Sequence, residues 1–551
     1  MRNLFISLFF ISAMGASACT NFIVGKGAST DGSVICTYNA DDYGMFQNLC
    51  HYPAAKHAPG EMRRIVDWDT NAYHGEIPEA PETYNVIGNI NEYQVTIGET
   101  TYGGREEMVD PEGILDYGSL IYVTLQRSKT AREAISVMTT LVEKYGYCSE
   151  GETFTICDPN EAWIMEMMGC AADRKVSPER TVWVALRVPD DMICGHANQS
   201  RITTFMPAKK QKKGQETVLW SKNVVSYAKK MGWYSGKDRD FSYNAAYAKP
   251  DFSGRRYCEA RVWSFFNRFA DDFSAYVPYA EGKEDNTTPM PLWIIPNKQV
   301  TLQDLRAAMR DHYEGTPFAL DSDIGGGIFA RPYRPAPLSF KVDEQEAFNE
   351  RPTSTVQTAW SFISQMRSWL PREVGGCFWF GNDDGNMIAY TPMYNCMTRL
   401  PKCYSGEGAD DVTFSMDNAF WVCNWVSNMI YPRYSMMFPS LQEVRDSLEA
   451  SYDKCQAEIE RQATALPVQE RVEFLTKYSV SKGDEMIERW RQLAYFLIVK
   501  YNDMAIKPTE CTQFKRSPYG KGARLMRPGY DKSFARELIR QTGDKFLVPK
   551  K

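Results

Sequence analysis

The first apolar run of the chain, at 4–14, is interrupted only by Ser7 and Ser12 and follows a single positive charge at Arg2. It is too short for the ~20 apolar residues of a membrane span. It ends in Ala16-Ser17-Ala18, the small-residue pattern of an export cleavage site. The pattern predicts a signal peptide over 1–18 rather than a buried strand or helix, with Cys19 as the first residue left after cleavage. Positions 21–25 and 33–38 are β-prone and apolar, and Asp31-Gly32 between them is a turn dipeptide. A β-hairpin therefore follows Cys19 at once.

The period changes near 130. Thr130 and Glu133 have capping-box spacing, Ile135, Met138, Leu141, Val142 and Tyr145 recur at helical intervals, and Gly146 ends the pattern. Strand patterns occupy 153–157, 162–168 and 181–188. Thr301 and Asp304 start another helix, with Leu302, Leu305 and Met309 on one face and Gly315 as its stop. The Pro-rich, charged stretch 331–352 reads as a long surface connection. Strands are expected again over 376–392 and 413–425, and helix from Leu441 onward, including 485–501. There is no internal repeat. Two strand clusters flanked by helices predict two packed sheets with helices outside.

The composition adds limits. A net charge of -6 over 551 residues offers no basic surface for nucleic acid, and 43% hydrophobic residues suffice for a large core. Fourteen cysteines in an exported chain lead us to expect some disulfides, although the spacings show no framework. Five histidines and the absence of CxxC and HExxH give no support to a metal site. No cofactor is implied.

Cys19 has three readings: an ordinary thiol, a lipid attachment point, or a nucleophile at the processed terminus. Lipoprotein signals usually carry Leu three residues before the cysteine, where this chain has Ala16, and a polar tether after it, where this chain enters a strand. A terminal cysteine carries its own base. Its α-amine titrates near ~7.7–8.0 and its thiol near ~8.5, close enough for proton exchange at neutral pH. An amide nitrogen inside a chain cannot accept that proton, so cleavage before Cys19 would create the base.

"CTNFIVGKGASTDGSVICTYNADD" from Cys19 resembles the start of the dipeptidase A family of cysteine peptidases, N-terminal-nucleophile hydrolases. So do "GETTYGG" from Gly98, "RSKTAREAI" from Arg127, "NEAWIMEM" from Asn160, "ALRVPDDMICGHANQSRI" from Ala185, "RDHYEGTPFAL" from Arg310, "TSTVQ" from Thr353 and "LIVKYND" from Leu497, in matching order across about residues 19–505. The resemblance implies an α+β fold, a four-layer αββα sandwich over 19–430 with a helical C-terminal region over 431–551. It also implies hydrolysis of dipeptides or short peptides. Related bile-salt hydrolases and penicillin acylases place Arg-Asn-x-Asp at the end of the hairpin. Here the four residues are Tyr38-Asn39-Ala40-Asp41, so Asp41 matches the acid and Tyr38 replaces the arginine. Asn198 matches the oxyanion donor.

Arg261 and Thr101 are candidate substrate-site residues. Each candidate also has a structural reading: Asp41 capping a turn, Asn198 satisfying a loop, Arg261 as an ion-pair partner. Glu99, Thr100 and Thr101 either line the pocket or stand at a sheet edge. His196 as a partner of Cys19 is disfavoured against the α-amine. "GNDDGN" from Gly381 reads as a turn between strands rather than a calcium loop. The expectation is an exported dipeptidase, periplasmic or extracellular, acting through Cys19, Asp41 and Asn198 on short peptides; a homo-oligomer is compatible with it. The alternatives are an N-acyl amide hydrolase on the same scaffold and a non-enzymatic lipoprotein anchored at Cys19.

Overall fold

The expected hairpin forms between β1 (Asn21–Val24) and β2 (Val34–Asp41), with Ile23 opposite Cys36 and Val24 opposite Ile35. The computed structural model describes residues 19–171, 180–285, 287–510, 513–520 and 522–550. The signal peptide expected at 1–18 lies outside them.

The remaining strands are β3 (His51–Tyr52), β4 (Val86–Ile87), β5 (Ile90–Asn91), β6 (Thr96–Gly103), β7 (Gly151–Cys157), β8 (Ala162–Gly169), β9 (Thr181–Val188) and β10 (Ile193–His196). Then come β11 (Val218–Trp220), β12 (Trp293–Ile294), β13 (Thr358–Met366), β14 (Gly376–Asn382) and β15 (Thr391–Tyr394). Two antiparallel sheets result. The first runs β12-β10-β1-β2-β13-β14-β15 and the second β11-β9-β8-β7-β6-β5-β4-β3.

The strand sequences show how the second sheet is covered on both faces. In β8, Trp163, Met165 and Met167 join a core shared with α1 (Tyr117–Leu125) and α2 (Ala131–Tyr145), while Ala162, Ile164 and Met168 join the larger core. In β9, Trp183 and Ala185 go one way and Val182, Val184, Leu186 and Val188 the other. Alternation with both sets apolar is the pattern of a strand buried on both sides. The two sheets approach each other where Gly98 of β6 faces Asn21 of β1. A Cβ on Gly98 would lie 2.3 Å from Asn21 Oδ1, and Asn21 Nδ2 donates to the Glu99 carbonyl at 2.6 Å.

Helices α3 (Ala260–Asn267) and α4 (Leu302–Met309) contact β10 and β2. Thr301 and Asp304 form the expected capping box, although the helix stops at Met309, before Gly315. At α2, Thr130 accepts from the Glu133 amide, and the Glu133 carboxylate takes the Lys129 amide. The chain closes with α5 (Ala419–Ile430), α6 (Tyr434–Thr464) and α7 (Val468–Tyr501), which contact β14 and β15. Leu448, Tyr452, Leu475 and Trp490 belong to the same apolar cluster as Phe378 and Tyr394.

Three expectations are corrected. Residues 413–425 are not strand. A loop leads to α5, whose N-cap Asn418 accepts from the Trp421 amide and whose buried positions 419, 420, 422, 423, 426, 427 and 430 have helical spacing. The stretch 331–352 is only partly surface. An exposed hairpin, 339–342 with 345–348, is followed by a buried Arg351. No disulfide joins the thirteen described cysteines, and ten of them are buried. "GNDDGN" is the connection from β14 toward β15, as expected. Among the described residues, no helix is long and apolar enough to cross a membrane.

Candidate active site

Cys19 stands two residues ahead of β1 and is 2% exposed. Thr20 and Asn39 exchange backbone hydrogen bonds of 3.1 and 2.9 Å, so the hairpin pairing reaches the cysteine's neighbour and sets the thiol beside the end of β2. Tyr38, from that end, places its hydroxyl 3.3 Å from Cys19 Sγ. The same hydroxyl donates to Glu99 Oε1, which lies 3.5 Å from Sγ. Burial pushes the Cys19 thiol well above its ordinary pKa, and the charges of Glu99 and Asp41 push it further.

Asp41 is aimed by a bulge. Trp360 pairs with Ala40 and Thr358 with Asp41, so Ala359 is the extra residue on β13. Thr358 Oγ1 donates to Asp41 Oδ1 at 2.7 Å and Arg351 Nη2 to Oδ2 at 3.0 Å. Burial raises the Asp41 carboxyl to about 6 against the pull of Arg351. Burial and the Arg261 charge hold the Arg351 guanidinium down to about 10, and the Asp41, Cys258 and Cys19 charges oppose them.

Arg261 comes from α3 and is fully buried. It donates to the Cys19 carbonyl at 2.8 Å, Thr20 Oγ1 at 2.7 Å, the Ala197 carbonyl at 3.2 Å and Asn198 Oδ1 at 3.0 Å. It therefore ties the cysteine to the loop after β10 instead of serving a carboxylate. Asn198 sits there with φ +59°, a left-handed conformation that asparagine tolerates. Its Nδ2 donates to the Thr101 carbonyl at 2.7 Å.

Thr101 combines both readings: it pairs with Glu152 of β7 on one side, while β5 pairs with β6 only at Thr96, so its other edge is open to the Asn198 side chain. Its hydroxyl donates to Glu152 Oε2 at 2.9 Å. Glu152 and Glu99 are in hydrogen-bond contact; burial raises both, and their contact lowers Glu99 while raising Glu152. The contact favours the proton on Glu152 over Glu99. His196 is not a partner of Cys19. Its Nδ1 and Nε2 each lie 2.7 Å from a threonine hydroxyl, Thr100 and Thr155, and burial holds its pKa down to about 3.

A cleft of about 690 Å³ opens next to these groups, lined by Asp42 and Tyr43 just after Asp41 and by Asp69. Tyr117 donates to Asp69 at 2.8 Å, and the charges of Glu99 and Cys19 act on the same phenol. Cys19, Asp41, Asn198, Arg261 and Thr101 thus lie in one connected network with Tyr38, Glu99, Glu152 and Arg351. Sequence reasoning misses Arg351, which ends a Pro-rich charged stretch; the TSTVQ run two residues later is the only pointer. It also leaves Glu99 without a role of its own.

A sequence model described as peptidase family C69 matches residues 18–447. A probable dipeptidase of Salmonella dublin is 25% identical over 401 residues, covering 69% of this chain and 81% of that protein. Dipeptidase A of Lactobacillus helveticus is 22% identical over 431 residues, 74% and 81% of the two chains. Probable dipeptidase B of Streptococcus pyogenes serotype M1 is 22% identical over 506 residues, 87% and 93%.

Proposed function

This chain belongs to peptidase family C69 and is a cysteine peptidase hydrolysing peptide bonds, and on that premise we propose that it is an exported dipeptidase with Cys19 as nucleophile and the Cys19 α-amine as base. The observation that carries this reading is the position of Cys19: its carbonyl is held by Arg261 and its thiol lies within 3.5 Å of Tyr38 and Glu99, ahead of the hairpin that delivers Asp41. In the full chain the Cys19 nitrogen is an amide, and the raised thiol pKa keeps the sulfur protonated. Removal of 1–18 supplies a basic nitrogen next to it.

In the proposed cycle the amine takes the thiol proton, and the sulfur attacks the scissile carbonyl carbon. The Asn198 side-chain amide is the donor that the resemblance assigns to the oxyanion. Collapse breaks the C–N bond. The leaving amine takes the proton from the α-ammonium, and a thioester remains on Cys19. Water, deprotonated by the α-amine, then attacks the thioester, releases the acid and returns the thiol. Asp41 fixes the end of β2, and Arg351 supplies the cation that the resemblance expects at Tyr38.

The two facing antiparallel sheets, with α1 and α2 on one side and α3 to α7 on the other, support the reading of an αββα N-terminal-nucleophile sandwich over 19–430 with a helical region over 431–551. The near-complete burial of Cys19 speaks for a nucleophile over a lipid anchor on the same sulfur. Mass spectrometry of the purified protein's N-terminus, combined with a thiol-reactive dipeptide label, tests the proposal. It predicts a terminus at Cys19 and a single label on that residue. A diacylglyceryl group on the sulfur, or a label elsewhere, would refute it.

A further inference from the structure

We propose that the Glu99 carboxylate, backed by Glu152, is the receptor for the substrate's α-ammonium group and so places the cut one residue from a free amino end. The inference rests on the reading of Cys19 as nucleophile. In a dipeptide the ammonium nitrogen and the attacked carbonyl carbon are bonded to the same Cα and lie about 2.5 Å apart. A sulfur poised about 3–3.5 Å from that carbon therefore has the ammonium within a few ångströms of itself. A group that binds the ammonium has to sit against the thiol, and Glu99 Oε1, at 3.5 Å from Sγ, does.

The other carboxylate acting on the thiol, Asp41, has its two oxygens taken by Thr358 and Arg351. Glu99 is different. Its Oε1 receives Tyr38, while Oε2 and Glu152 Oε1, apart from the contact between the two carboxyl groups, have no donor from any other described residue. Two buried carboxyl groups in contact are stable when a proton or a cation lies with them. With one proton the pair carries a single negative charge, equal and opposite to an ammonium group. Thr101, holding Glu152 Oε2, keeps the pair in place. The cleft that begins at Asp42, next to Asp41, has the same sign: its wall carries Asp42, Asp67, Asp69, Asp410 and Asp411 against Arg63 and Arg64.

The test uses two alanyl fluoromethyl ketones that differ only in the amine, one free and one N-acetylated. Inactivation of the mature protein at Cys19 is timed with each. Any change in the thiol's own reactivity affects both reagents alike and cancels in their ratio. The parent enzyme should prefer the free amine by at least about 100-fold, and Glu99→Gln should reduce that preference to within about tenfold. Glu152→Gln should reduce it in the same direction, and decides the matter if Glu99→Gln does not fold. A preference unchanged in the folded variants, or equal slowing of both reagents, would overturn the proposal and assign Glu99 to the thiol proton instead. Failure of both reagents to label Cys19 in the parent would overturn the nucleophile reading, and this one with it.

Discussion

Arg351 reaches Asp41 across 310 positions of sequence, its Nη2 donating to Oδ2 at 3.0 Å with both side chains buried. The bond joins the segment leaving the exposed 339–348 hairpin to the strand that carries Tyr38. Removing one partner leaves the other charge in a low-dielectric interior.

Arg351→Met should therefore destabilise the protein by about 3–5 kcal/mol and abolish dipeptide turnover. Adding Asp41→Asn should restore much of the stability and none of the activity. Urea denaturation and turnover, measured on single and double variants, separate the two effects. A single variant that melts and turns over like the parent would remove Arg351 from the site.

Cys19→Ala should fold normally and have no activity. A protein with one extra residue retained before Cys19 should also fold and fail to hydrolyse dipeptides. Its thiol is intact, but the neighbouring nitrogen is an amide and the new amine lies about 3.5 Å of chain further away. Turnover by this extended form, with mass spectrometry showing the extension intact, would mean that another base serves the sulfur.

Asn198 calls for two substitutions because of its positive φ. Alanine removes the amide and adds strain of about 1 kcal/mol; glycine removes the amide and tolerates the backbone. Both should lower kcat by roughly 10²–10³-fold if the amide serves the oxyanion. Only the alanine variant should melt lower. Recovery of kcat in the glycine variant would assign Asn198 to backbone conformation alone.

His196 sets a pH dependence of stability. Its folded pKa is about 3 against 6.5 for the free side chain. Below about 6.5 the unfolded chain binds a proton that the folded protein refuses until about 3, so stability falls as pH drops through that window. His196→Gln should flatten this part of the acid limb, compared as melting temperatures at pH 7 and pH 4. An acid limb identical to the parent's would place a charged imidazole in the fold.

What was legible in the sequence is what local order determines. The hairpin, the helix at 131–145 and the strands at 151–157, 162–169 and 181–188 announce themselves by alternation, helical spacing, caps and turn residues within a few positions. The stretch 413–425 reads as strand because its run of aromatic and β-branched residues outweighs the Asn418 cap that starts the helix Ala419–Ile430. Strand β13 is buried at all nine positions, so it shows no alternation to detect. The site divides the same way. Cys19, Asp41 and Asn198 lie in segments with distinctive local sequence. Arg351 and Glu99 acquire their roles from partners 310 and 80 positions away, which no local pattern encodes.

The buried cysteines bear on how the protein is made. Ten of the thirteen described thiols are buried in the finished fold, and those of Cys36 and Cys157 touch between the two sheets. Burial protects them only after the sheets have closed. A chain that folds in oxidising surroundings exposes every one of these sulfurs beforehand, and any bridge formed then locks in a wrong pairing. Yield becomes a race between closure of the core and oxidation of the open chain, and antiparallel sheets with long-range partners such as β2 and β13 close slowly. Recovery of correctly folded protein should therefore depend on the redox buffer present during folding and hardly at all on the one present afterwards.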